Sequence, residues 1–220
     1  MGELLLAHSS ELTGGEVSRV REIYEQAFAP YLRVPFGELT ATGPAGLFLA
    51  AFDGGEPVGF AALRILGSAG WTFLRYYAIA ADRRGSGVGQ QFWRLVTPAV
   101  QAAGWPGRVT LEVEHPAHVT GPGESEIAAA RIAFWTRCGC QLLPVSGYAM
   151  PALTEATRPV PMLLMATDPA TTTLDDSEIA DLVRAIYRHR YGLGPQHSLA
   201  AAALASIGQH YPASRQQSAS

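Results

Sequence analysis

Three groups of residues have the types and spacing to do chemistry. In Arg84-Gly85-Ser86-Gly87-Val88-Gly89, three glycines fall within five residues, between an apolar run and an amphipathic helix. Glycine lets the backbone turn tightly and has no Cβ to hold a ligand away. The helix start turns free N–H groups and its positive dipole end toward the loop, which suits a phosphate or pyrophosphate. Arg84 adds a permanent positive charge. Next, Glu112 and Glu114 stand two apart on an expected strand and share one face, with Leu111 and Val113 on the other. Two close carboxylates repel and burial raises a pKa further, which suits a group that accepts a proton near neutrality. The alternative is a solvated charged face. Last, His115 and His118 lie three apart in a loop with Pro116, unlike the helical histidine pair of a zinc site. No third ligand is evident, and no metal is expected. Cys138 and Cys140 are too close in sequence for an ordinary disulfide and read as structural.

The glycine loop can be compared with other phosphate cradles. A dinucleotide fingerprint needs G-x-G-x-x-G, and here the third glycine comes one place early. A Walker loop needs a lysine, and the chain has none. What the loop does match is R/Q-x-x-G-x-G/A, with Arg84, Gly87 and Gly89 in the fixed places. Together with Tyr77-Ala78-Ile79-Ala80-Ala81-Asp82-Arg83 it closely resembles the acyl-CoA pyrophosphate loop of the GNAT N-acetyltransferase superfamily. The resemblance implies acetyl-CoA, or another acyl-CoA, held by the backbone of Tyr77, Ala78 and Ile79 and by Arg84, Gly85, Ser86, Gly87, Val88 and Gly89. It also implies that a backbone N–H of that strand faces the thioester carbonyl as a one-donor oxyanion site. Leu111-Glu112-Val113 matches an L-E-V motif that carries the base at its glutamate in several GNAT subfamilies, which points to Glu112, with Glu114 beside it. The stretch Ala133–Cys140 resembles the segment A-x-Y-x-x-x-G-F, but Trp135 stands where the thiolate-protonating tyrosine is common. An indole N–H donates a hydrogen bond without releasing its proton near neutrality. Trp135 is therefore expected to pack beside the cofactor. A thiolate whose conjugate acid has a pKa of about 8.5–10 can leave unprotonated; otherwise Tyr148, or Tyr77, would be the acid. In this fold the irregular stretch after the first helix walls the acceptor pocket, here Tyr31, Arg33 and Phe36. Arg33 among aromatics suits a carboxylate-bearing or aromatic amine, against a reading of plain loop packing.

The elements that must position these residues follow from periodicity and punctuation. A strand over 3–8 leads to a helix with apolar positions Val17, Val20, Ile23, Tyr24 and Phe28, then an irregular stretch over 31–46. Apolar runs at 47–52 and 57–66 flank Asp53-Gly54-Gly55, a hairpin signal. A strand over 71–80 feeds the glycine loop and a helix whose apolar face carries Val88, Phe92, Leu95, Val96 and Val100. After it come a strand at 109–114, a helix ending near Gly139, and strands at 140–150 and 160–166. This order is that of the GNAT fold, a mixed α/β architecture with a mostly antiparallel central sheet flanked by helices. The resemblance spans roughly 3–167, so the expected organisation is an acyltransferase domain over 1–167 and a helical extension over 168–210. A disordered tail is expected over 211–220, rich in Ser and Gln. The extension reads as a helical hairpin that adds core, with a homodimer contact or a lid over the acceptor site as the sharper readings.

Composition limits the partners. The chain has 220 residues, 48% of them hydrophobic, enough for a full core, and a net charge of -3 gives no basic footprint for nucleic acid. No apolar run reaches membrane-spanning length and no signal peptide is evident, so a cytoplasmic location is expected. The expected activity is transfer of an acetyl group from acetyl-CoA to the primary amine of a small molecule by direct attack, with Glu112 as base. The alternative, suggested by the missing tyrosine, is a CoA-binding regulatory or structural module without transferase activity.

Overall fold

The apolar stripe that begins at Val17 forms helix α1 (Gly14–Ala27), opened by a capping box in which Thr13 and Glu16 satisfy each other's backbone N–H groups. The computed structural model describes residues 3–41, 43–153, 158–167 and 173–209. Within them β1 (Leu5–His8), α1 and a short helix α2 (Phe36–Thr40) precede a meander of β2 (Gly46–Asp53), β3 (Glu56–Ile65) and β4 (Thr72–Ile79). Helix α3 (Val88–Ala102), β5 (Val109–Glu114) and α4 (Glu124–Arg137) follow. Then come β6 (Gln141–Leu142), β7 (Ala149–Met150), β8 (Val160–Thr167), α5 (Asp176–Ala185), a π-helical turn (Ile186–Arg190) and α6 (Ser198–Ala205).

The strands form one open sheet in the order β1-β2-β3-β4-β5-β8-β6, with β7 also paired to β8. Every pairing is antiparallel except β4 with β5. Side-chain alternation sorts the core to two faces. Leu47, Leu49 and Ala51 pack with α3 and α4, whereas Phe48 and Ala50 pack with α1 and α2. A third cluster, between Phe73, Leu164 and Tyr148, is built with α5, the π turn and α6. The segment 174–209 therefore covers the sheet beside α1.

Two irregularities interrupt the pairing of β4. Its parallel ladder with β5 lasts only from Thr72↔Val109 to Leu74↔Leu111, although both strands continue, so they diverge into a cleft. At the same level the register with β3 slips, Ala62 opposing Tyr76 and Leu63 opposing Leu74, so Arg75 is an extra, bulged residue. On the β3 side, Gly59 cannot bear a side chain, because a Cβ would stand 2.7 Å from the Ala78 carbonyl oxygen.

The continuous strand expected over 140–150 is instead two two-residue strands separated by a turn. Pro144 interrupts the ladder, and Gly147 gives its N–H to the Ser206 hydroxyl at 2.7 Å rather than to a strand. The expected tail over 211–220 lies outside the described residues. Among the described residues, no helix is long and apolar enough to cross a membrane.

Candidate active site

The divergence of β4 and β5 opens a cleft of about 790 Å³. It runs from Arg84 at the glycine loop, past Tyr77 and Trp135, to Glu112, Tyr31 and Arg190. Its β4 wall carries unpaired backbone. Ala80 N–H bonds to Val58 on β3 at 2.9 Å, so by strand alternation the N–H groups of Ala78 and Tyr76 also face β3. Those of Tyr77 and Ile79 face the cleft. The Ile79 carbonyl agrees, since it accepts the Arg84 Nε–H at 3.0 Å from that side.

The glycine loop closes this wall. Gly85 and Gly87 sit at φ +75° and +86°, left-handed conformations that favour glycine. Gly87 is the N-cap of α3 and offers no side chain to its first N–H groups. At Gly89 a Cβ would lie 3.2 Å from the Phe134 ring, so a side chain there would press the ring back by a few tenths of an ångström. Ser86 bonds back to the Arg83 carbonyl at 2.6 Å, and Val88 is buried beneath the turn. The loop is thus a cradle of donors with no internal partner for an anion to displace.

Glu112 is the best-organised carboxylate in the cleft. The Tyr191 hydroxyl lies 2.8 and 2.7 Å from its two oxygens, and the Tyr148 hydroxyl donates to the first of these. Burial pushes its pKa up from the usual carboxylate range, while both phenols, and Arg190 at longer range, partly counter the rise. The outcome is a carboxylate of raised basicity with its lone pairs oriented. Glu114 also lines the cleft, but it is ion-paired with Arg131 of α4, which spends its charge on a guanidinium. Tyr148 is buried, and burial and then the Glu112 charge hold its pKa well above the usual phenol value. Its proton is committed to Glu112 and is not free for a departing thiolate.

Trp135 packs edge-on against Tyr77 and Trp93, with ring centroids 5.1 and 5.0 Å away, and lines the cleft. Tyr77 itself hydrogen-bonds the Gly89 carbonyl at 2.5 Å, and burial raises its pKa well above the usual value. Of the three residues expected to wall an acceptor pocket, Tyr31 does line the cleft. Phe36 does not: it is buried with Tyr24 and Phe48 beneath α1, at ring distances of 5.7 and 6.2 Å. Arg33, the residue that caps the turn Pro30–Leu32, is also absent from the cleft wall. His115 and His118 contact each other at 4.7 Å between ring centroids, and neither lines the cleft.

The residues that sequence reasoning missed are Tyr191, Arg190 and Arg75, all in the cleft or bonded to its carboxylate. A signal for Tyr191 exists. Tyr187 and Tyr191 extend the apolar stripe of α5 one turn apart, and a phenol on a stripe that will be buried needs a partner for its hydroxyl. Arg190 ends the π turn, a distortion frequent at functional sites, and Tyr191 caps it.

Comparisons with known proteins agree with this architecture. The model of the acetyltransferase (GNAT) family matches residues 17–120, which include the glycine loop, Glu112 and Glu114. Among solved structures, a GNAT-family protein from Bacteroides thetaiotaomicron superposes with a TM-score of 0.65 at 22% identity, covering 86% of this chain and 98% of its own. An aminoglycoside 6′-N-acetyltransferase complexed with coenzyme A superposes with a TM-score of 0.52 at 13% identity, covering 78% of this chain and 99% of its own. A GNAT-family protein from Desulfovibrio desulfuricans gives a TM-score of 0.52 at 17% identity, covering 75% and 98%. At these identities the likeness is one of fold. No curated protein matches the chain in sequence. The chain thus shares the fold of these proteins, with its mostly antiparallel sheet parted between β4 and β5, and it matches the acetyltransferase (GNAT) family model over residues 17–120, just under half of its length.

Proposed function

We propose that the protein transfers an acetyl group from acetyl-CoA to the primary amine of a small molecule, by direct attack within the β4–β5 cleft. The observation that carries this reading is Glu112, a carboxylate of raised basicity held by two phenols beside a strand with open N–H groups. The glycine loop and Arg84 would hold the CoA pyrophosphate, and the thioester arm would lie along β4 as an added strand does. Glu112 takes a proton from the incoming ammonium, directly or through water, and frees the lone pair for attack. As the tetrahedral centre forms, a cleft-facing N–H, from Tyr77 or Ile79, stabilises its oxygen; losing such a donor costs about 3 kcal/mol elsewhere. The CoA thiolate then leaves without a protein acid, because Trp135 cannot supply a proton and the Tyr148 proton is tied to Glu112. We take Tyr148 as a positioning residue for Glu112, and residues 1–167 together with the helices after 173 as one working unit. The composition supports a cytoplasmic setting and a small acceptor over a nucleic acid.

The missing phenol at 135 favours a second reading, a CoA-binding module without transfer. Thermal shift with acetyl-CoA, CoA and NAD, followed by thiol release over a panel of amines, separates the two. Preferential stabilisation by NAD sinks both readings, whereas acetyl-CoA binding without turnover of any amine leaves only the second. If Glu112 is the base, Glu112→Gln lowers kcat by roughly 100- to 10,000-fold with unchanged acetyl-CoA affinity. Full turnover of that variant across pH 6–9 would remove the assignment.

A further inference from the structure

Two guanidinium groups in the cleft have no role in the acyl transfer itself. Arg75 is the bulged residue at the point where β4 leaves β5, and Arg190 arrives on the π turn; both line the cavity that Glu112 lines. The Nε of each is buried without a hydrogen-bond partner. Burial, and then the charge of Arg190, push Arg75 down to about 10. Arg190 lies over the Tyr191 ring, its guanidinium carbon 4.8 Å from the centroid, so its plane is oriented. Buried donors and like charges that line one cavity are unfavourable until an anion answers them.

The neighbouring charges do not answer them. Glu112 attracts Arg190, but its oxygens are held by Tyr148 and Tyr191. Glu38 borders a smaller cavity of about 180 Å³ with Arg64 and Arg75, and there it attracts Arg75 less than Arg64 repels it. At the far end of the cleft Arg131 is paired with Glu114, and Arg84, bonded through its Nε–H to the Ile79 carbonyl, belongs to the glycine loop and the anion proposed there. The vacant positive charge is thus beside the base and away from the glycine loop.

We propose that Arg75 and Arg190 bind a carboxylate of the acyl acceptor, which makes the acceptor an amino acid or another small amine carrying a carboxylate. Planar guanidinium groups match carboxylate geometry with paired N–H donors. Charge count favours a monoanion. With Glu112 ionised as base, the three groups sum to one positive charge, which a carboxylate neutralises and a phosphate dianion overshoots. Held there, the carboxylate would place the amine of the same molecule next to Glu112, converting affinity into orientation for attack. The inference rests on the cleft being an acyltransferase site.

The test uses the full chain and begins with acetyl-CoA binding, whose failure would refute the acyltransferase reading itself. Thiol release is then compared for amino acids, their amides, the corresponding decarboxylated amines and O-phosphoethanolamine. The expected result is an amino acid whose kcat/KM exceeds that of its amide by roughly 30-fold or more, the scale of leaving buried charges unanswered. Arg75→Gln and Arg190→Gln should each raise the KM for that acid by about 30-fold, with the KM for acetyl-CoA within about twofold and a loss on the amide about tenfold smaller than on the acid. Arg75→Lys should recover part of the loss. Equal use of acids and amides, preference for the phosphate, or no amino acid reacting or binding to the CoA-loaded protein would overturn the inference. In each of those cases acetyl-CoA binding would still stand.

Discussion

Removing a single hydroxyl, with Tyr191→Phe, isolates what the C-terminal helices contribute to chemistry. The ring remains to pack on Tyr187, 6.2 Å away between centroids, and to carry Arg190 on its face. What is lost is the donor at 2.7 and 2.8 Å from the Glu112 oxygens. A hydrogen bond to a charged group contributes about 1.5–3 kcal/mol. One pKa unit corresponds to about 1.4 kcal/mol, so the full effect would be about one to two units. Tyr148 still donates, which places the expected shift near the lower value, about one unit. The sign follows from the form stabilised. Burial already raises the Glu112 pKa and the phenols favour the ionised carboxylate, so removing one raises the pKa further. The acidic limb of kcat/KM against pH should move up by about one unit, with activity on that limb falling about tenfold and activity well above it preserved. The profile of thiol release from pH 5.5 to 9.5 reads this directly. A uniform fall at every pH, with the limb unmoved, would show that Tyr191 only supports the fold and would refute its coupling to the base.

Two further outcomes test the rest of the cleft. Gly87→Ala forces a side chain into φ +86°, and should cost roughly 1–2 kcal/mol of stability by thermal melt while weakening acetyl-CoA binding by calorimetry; wild-type affinity would remove the loop from the cofactor site. Trp135→Tyr restores a phenol where an acid is common, yet if the thiolate leaves unassisted, kcat at neutral pH should not exceed the wild-type value; a gain of about tenfold would show that departure of the thiolate limits the rate.

What could be read from the sequence was what is local. The glycine loop declares itself because turn, cap and helix occupy consecutive residues, and Glu112 and Glu114 share a face because strand alternation has period two. The two glutamates nevertheless diverge in the structure, one held by phenols and the other by Arg131, since that depends on which elements pack above each. The strand over 140–150 failed for a similar reason: Gly147 answers to Ser206, far along the chain, and not to its neighbours. Arg75 carries no sign in sequence of being a bulge, because register is decided by the pairing partner. The C-terminal helices are the clearest case. Their composition explains a packed hairpin, and adding core would have accounted for every apolar position. The polar atoms at their end decide otherwise. A phenol placed on a buried stripe must find an acceptor, and here it finds the cleft's base; the Nε–H of the guanidinium beside it has found none. If that group is waiting for the acceptor's carboxylate, the helices that lie outside the family match complete the acceptor side of the site, while residues 17–120 supply the loop, the strand wall and the base.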